Sequence, residues 1–116
     1  MGKRKISPYI NDIIESAERI LEYGESKSYE EFEVDQKTVD AVERCFEIIG
    51  EASKNIPMEI KDKYEDIPWV EIIGMRNMIS HEYFQVSLKT VWKTIKEDIP
   101  ELIELMKKML KDFENL

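Results

Sequence analysis

"DQKTVDAVERCFEIIGEASKNIP", Asp35 to Pro57, is the stretch on which the fold turns. Its apolar residues Val39, Val42, Phe46, Ile49, Ala52 and Ile56 are separated by steps of three and four, which sets them in one stripe along a helix of about 3.6 residues per turn. A half-buried strand would instead alternate at every second residue. Pro57 closes the helix, because a proline disfavours helical geometry in the residue before it.

Towards the N-terminus, Ser7-Pro8 reads as an N-cap followed by proline at the first helical position, and Ile10, Ile13, Ile14, Ala17, Ile20 and Leu21 recur at helical spacing up to Gly24. This first helix is expected to pack antiparallel on the second. The polar segment Ser26 to Asp35 between them carries a Ser28-x-x-Glu31 capping-box pattern and reads as a structured loop, with room for a short helical turn that carries Phe32 inward.

Towards the C-terminus, Pro57 to Asp66 is a charged connector with at most a turn or two of helix. Pro68 opens a third helix whose apolar faces come from Val70, Ile72, Ile73, Met75 and Ile79. Ser87 is the expected N-cap of a fourth, with Leu88, Val91, Trp92 and Ile95 at helical spacing. Pro100 breaks or kinks the line, and Asp98-x-x-Glu101 offers a fresh cap for a last segment with Leu102, Leu105, Met106, Met109 and Phe113 inward. The expectation is a compact all-α antiparallel bundle of four to five helices; there are no strand-period runs, repeats or low-complexity segments.

With 116 residues, 42% of them hydrophobic, the chain is expected to form one domain over residues 1–116. The single Cys45 cannot make an intramolecular disulfide, and MGKRKISPYI lacks the apolar run of a signal peptide, so a reducing cytoplasm is expected. No apolar segment approaches the ~20 residues that span a bilayer, and Ile6 stands where a myristoylation signal on Gly2 wants Ser or Thr. A net charge of -8 repels polyanions at long range, so any nucleic-acid site has to be local. The Lys- and Glu-rich surface resembles that of a thermophile, though an ordinary solvated helical surface explains it nearly as well.

The sequence has no Gly-rich phosphate loop, no Cys-x-x-Cys, no paired histidines and no calcium-loop spacing, so neither a metal nor a cofactor is expected. What remains is "RNMISHEYF", Arg76 to Phe84, which holds the chain's one histidine. Ser80 and His81 are adjacent, but neighbours on a helix point about 100° apart, so no Ser/His nucleophile pair follows. In a straight helix Arg76 and His81 lie about 140° apart, whereas Asn77 and His81 share a face, as do Arg76 and Tyr83. A long arginine can still wrap towards His81, so the polar set can converge.

An imidazole with an ordinary pKa of ~6.5 suits proton transfer near neutrality, and a guanidinium can grip a phosphate by two parallel hydrogen bonds. Asn77 and Ser80 can orient either. RNA cleavage through the 2'-hydroxyl needs a base, an acid and a cation for the phosphorane charge, and one histidine cannot easily be both base and acid. A homodimer with its two-fold axis near residue 81 would supply two of each. On spacing alone the plainer readings stay open: His81 as a capping or core-edge histidine, Arg76 as an ion-pair partner of Glu71 or Glu82, and Tyr83 and Phe84 as core or interface anchors. Trp69 and Trp92 read as core, and Lys89, Lys93 and Lys96 as a solvated face or, less simply, a phosphate track.

Arg76-Asn77-x-x-x-His81-x-Tyr83 resembles the Arg-x4-His-x-Tyr motif of the HEPN superfamily, and "CFEIIGEASKNIP", "IPWVEIIGMRNMISHEYFQV" and "VWKTIKEDIPEL" resemble its HepT-like branch over nearly the whole chain. The resemblance implies an all-α homodimer acting as a metal-independent endoribonuclease toxin. Arg76 and His81 would be its catalytic pair and Asn77 a supporting polar group. It implies as partner a minimal nucleotidyltransferase antitoxin that transfers AMP to Tyr83, and RNA as substrate. The alternative is a non-catalytic module that binds nucleotide or substrate for such a nucleotidyltransferase, or a helical dimer that only scaffolds partners.

Overall fold

The computed structural model describes residues 6–80 and 84–114, with the backbone alone described at 76–80 and 84–87. Among the described residues there are seven helices and no strand: α1 (Ser7–Gly24), α2 (Tyr29–Val34), α3 (Gln36–Lys54), α4 (Met58–Lys61), α5 (Trp69–Ser80), α6 (Phe84–Glu97) and α7 (Ile99–Glu114). The fold class is all-α, as the apolar spacing predicts; α2 and α4 are short, so the other five carry the bundle.

α3 is the helix of the opening stretch. Val39, Val42, Phe46, Ile49, Ala52 and Ile56 are all buried, and Cys45 joins them as one more small apolar side chain. α3 packs against both α1 and α5, α1 packs also against α7, and α6 packs against α5 and α7. A salt bridge of 3.1 Å from Lys27, just after α1, to Asp35, the N-cap of α3, brings the end of one helix to the start of the next. Two helices that meet there and pack along their length run antiparallel. Glu18 of α1 and Lys107 of α7 lie 3.4 Å apart on the opposite flank. Ile10, Ile13, Ala17 and Ile20 of α1 meet Val91 and Ile95 of α6 and Met106 and Met109 of α7 in one continuous core.

Several local boundaries differ from expectation. Ser7 is not the N-cap of α1: that place is taken by Ile6, whose backbone is already helical and whose side chain is 2% exposed, and no side chain caps the end. Burial of Ile6 outweighs the capping preference of a serine, and Pro8 has no N–H to satisfy. The segment read as a loop holds helix α2. Its capping box is complete, with Ser28 N donating to Glu31 Oε1 at 2.9 Å and Glu31 N to Ser28 Oγ at 3.1 Å. Phe32 is fully buried, 5.0 Å from the Trp92 ring, and this anchor lets six residues persist as helix.

Ser87 is not an N-cap either, because α6 begins at Phe84; nothing between Phe84 and Ser87 forbids helical geometry, so the serine falls inside the first turn. Val70 is 80% exposed and contributes nothing to the core, unlike Ile72 and Met75 on the inward side of α5. Trp69 and Trp92 are half-buried against the core rather than inside it, since each also carries an N–H that wants a partner. Pro100 does begin a new helix. Only Asp98 separates α6 from α7, its carbonyl accepting the first bond of α7 from Leu102 N at 2.9 Å.

Candidate active site at the α5–α6 junction

α5 is braced from its N-terminal end. Trp69 Nε1 donates to the Tyr64 carbonyl at 3.2 Å, and the Lys61 ammonium sits 5.9 Å from the Trp69 ring centre. Tyr64 in turn donates from its hydroxyl to Asp112 Oδ2 at 2.8 Å, which ties the connector before α5 to α7. Burial, together with that carboxylate, pushes the Tyr64 phenol up to about 12. One turn further on, the Ile73 backbone lies close against Gly50 of α3, where a Cβ would sit 3.8 Å from the Ile73 carbonyl oxygen.

This scaffold carries the backbone of Arg76, Asn77 and Ser80 in the last two turns of α5. His81 and Tyr83 lie outside the described residues, as do the side chains of Arg76, Asn77 and Ser80. α5 ends at Ser80 and α6 starts at Phe84, and the two helices pack against each other. In helical register Asn77 follows Val70 and Gly74 along one side of α5. Val70 on that side is exposed and bare, and the half-buried Gly74 borders an open groove, where a Cβ would meet nothing within 4 Å.

The lysine face of α6 is partly engaged in structure. Lys96 Nζ donates to the Gly24 carbonyl at the end of α1 at 3.1 Å and lies 4.6 Å from the Trp92 ring centre. Lys89 lies 5.9 Å from the Tyr29 ring centre. Lys93 is exposed, as a solvated face requires.

Sequence reasoning missed a groove of about 550 Å³ between α5, α6 and α7. Phe46, Ile72, Met75, Leu102 and Leu105 form its floor, and the exposed carboxylates of Asp66, Glu71, Asp98 and Glu101 its rim. Asp98 and Glu101 read in the sequence as a cap, and Glu71 as an ion-pair partner. The available signal was the four-residue spacing of Thr90, Thr94 and Asp98, which line the α6 wall together. Among the described residues no group of three or more His, Cys, Asp or Glu side chains could hold a metal ion, and no helix is long and apolar enough to cross a membrane.

Among the described residues the chain is all-helical, which makes it a protein of the all-α class. Residues 13–109 match the family model described as "Ribonuclease HepT-like". The chain therefore belongs to the HepT-like family. It is 46% identical over 109 residues to "Probable ribonuclease HepT" of Thermococcus cleftensis, covering 94% of this chain and 99% of the relative. It is 43% identical over 114 residues to "Putative RNase MJ1216" of Methanocaldococcus jannaschii, covering 98% and 94%. It is 42% identical over 103 residues to "Putative RNase TTE0752" of Caldanaerobacter subterraneus subsp. tengcongensis, covering 89% and 92%. A comparison with solved structures finds no significant match.

Proposed function

We propose that this chain is an endoribonuclease that cleaves RNA without a metal ion, acting as a homodimer in which Arg76 and His81 of two protomers line one cleft. The observation that carries the reading is the near full-length likeness to relatives named as ribonucleases, with the Arg76-x4-His81 spacing intact. The bare side of α5 supports the dimer. It carries the exposed Val70 on the same helical side as Asn77, and a second copy laid on it would bring two motifs together.

In the proposed reaction one neutral His81 takes the proton of the 2'-hydroxyl, whose oxygen attacks phosphorus. The second, protonated His81 gives its proton to the departing 5'-oxygen, and the P–O5' bond breaks. The products are a 2',3'-cyclic phosphate and a 5'-hydroxyl. Arg76 from each protomer holds the phosphorane oxygens, whose added charge it stabilises more than that of the ground state. Asn77 and Ser80 orient the imidazole and the phosphate.

The chain acts as the toxin of a pair, and its partner is a minimal nucleotidyltransferase. AMP transfer from a nucleoside triphosphate to the Tyr83 oxygen, with pyrophosphate leaving, silences it. The new phosphate competes with RNA for Arg76 and fills the cleft. The test is cleavage of a mixed RNA pool in EDTA by unmodified wild type and His81→Ala, both checked as folded dimers. Cleavage by wild type alone, leaving cyclic phosphate ends, is expected. Equal cleavage by both would remove His81 from the mechanism, and nucleotide binding without any cleavage would favour the non-catalytic module.

A further inference from the structure

We infer that the groove between α5, α6 and α7 is a docking site for a partner amphipathic helical segment with one apolar face flanked by basic side chains. Its floor is apolar and its rim bears Asp66, Glu71, Asp98 and Glu101, with no Lys, Arg or His among the described residues that line it. RNA is repelled by such a rim. A basic amphipathic segment matches both parts: its apolar side chains cover the floor while Lys or Arg stems lie along it and carry their heads to the carboxylates.

Length points the same way. The wall formed by α6 and the residue that follows it runs from Thr90 through Thr94 to Asp98, about 12 Å at 1.5 Å per residue, which suits roughly two turns of a docked helix. The rim carboxylates are exposed, so each pair with a partner cation adds little affinity, and the floor supplies most of the binding while the rim sets selectivity and rate of encounter. Met75, in the floor of the groove, immediately precedes Arg76 in α5, so an occupant sits close to the C-terminal end of α5. The inference stands whether or not the chain cleaves RNA.

The test is calorimetric titration of the full chain at physiological salt with a synthetic amphipathic Leu/Lys peptide of about 14 residues, long enough to fill the two-turn groove. Three variants are compared: Glu71→Lys with Glu101→Lys on the rim, Glu15→Lys with Glu114→Lys away from it, and Thr94→Phe to fill the groove without changing charge. Affinity is expected to fall by about tenfold or more with the filling variant, by about threefold or more with the rim pair and by less than about twofold with the distant pair. Equal loss with the rim and distant pairs would mean unspecific attraction to an acidic protein and would overturn the inference. So would a change of oligomeric state in the rim variant, which would make the occupant a second copy, or displacement of the peptide by spermidine, which would make it a small amine. The rim residues are exposed, so their variant remains informative if Thr94→Phe fails to fold.

Discussion

Ser53 is fully buried in α3, and its hydroxyl has no hydrogen-bond partner among the described residues. A buried hydroxyl left unpaired costs on the order of 1–3 kcal/mol, so Ser53→Ala is expected to raise unfolding stability by about 1 kcal/mol. Urea denaturation checks this, and a loss of that size would mean the hydroxyl is satisfied in solution. Tyr64 makes a pH-dependent contribution of definite sign. Its phenol is held at about 12, above the ordinary 10.0, so the stabilisation is fully present below pH 10 and is lost as pH rises towards 12. Tyr64→Phe should therefore flatten the fall of melting temperature across that alkaline window; an unchanged slope would show that the bond to Asp112 does not persist in water.

Among the elements, α3 and α5 come close together at Gly50, and the space there is graded. A methyl group fits at ordinary contact distance from the Ile73 backbone, and a glycine inside a helix costs about 0.5–1 kcal/mol relative to alanine. Gly50→Ala is expected to stabilise the fold by about that amount. Gly50→Leu should wedge α3 from α5 and cost about 1–3 kcal/mol, as overpacked cores do. Paired thermal melts that rank the two substitutions the other way would mean the helices do not meet as described. α2 teaches a related lesson. Its capping box was readable, but the box alone left a loop or a turn open, and burial of Phe32 against Trp92 settles the matter as helix.

At the scale of the whole molecule, the proposed activity requires assembly. Val70→Lys places a charge on the bare side of α5 at a position already 80% exposed, so the protomer should fold unchanged. Light scattering is expected to show monomer, and RNA cleavage to fall with it; a persistent active dimer would place the interface elsewhere. Under the proposed reaction two equivalent histidines, one neutral and one protonated, would give a bell-shaped rate profile with a single maximum. A rate that climbs steadily from pH 5 to 9 would contradict the shared acid–base roles.

Much of this was legible before any coordinates. The apolar stripes of α1, α3 and α7 named their own buried faces, because a 3.6-residue period has few other solutions, and the Arg76-x4-His81-x-Tyr83 motif is a local pattern within one stretch of chain. The ends of helices were less legible. Ser7 and Ser87 have capping chemistry, yet burial of Ile6 and the earlier start of α6 assigned both to the first turns of their helices. α5 was harder still, being apolar on several sides, so its sequence does not say which side meets α3 and which stays bare. The sequence by itself determined an all-α chain, most of its core and its chemically distinctive residues, since these rest on short-range periodicity and side-chain type. Only the tertiary structure decided that Val70 faces solvent, that Lys96 caps α1, and that carboxylates from the α4–α5 connector and around α5, α6 and α7 ring one apolar groove. Those facts depend on which distant segments touch, and that is settled by close packing of the whole core.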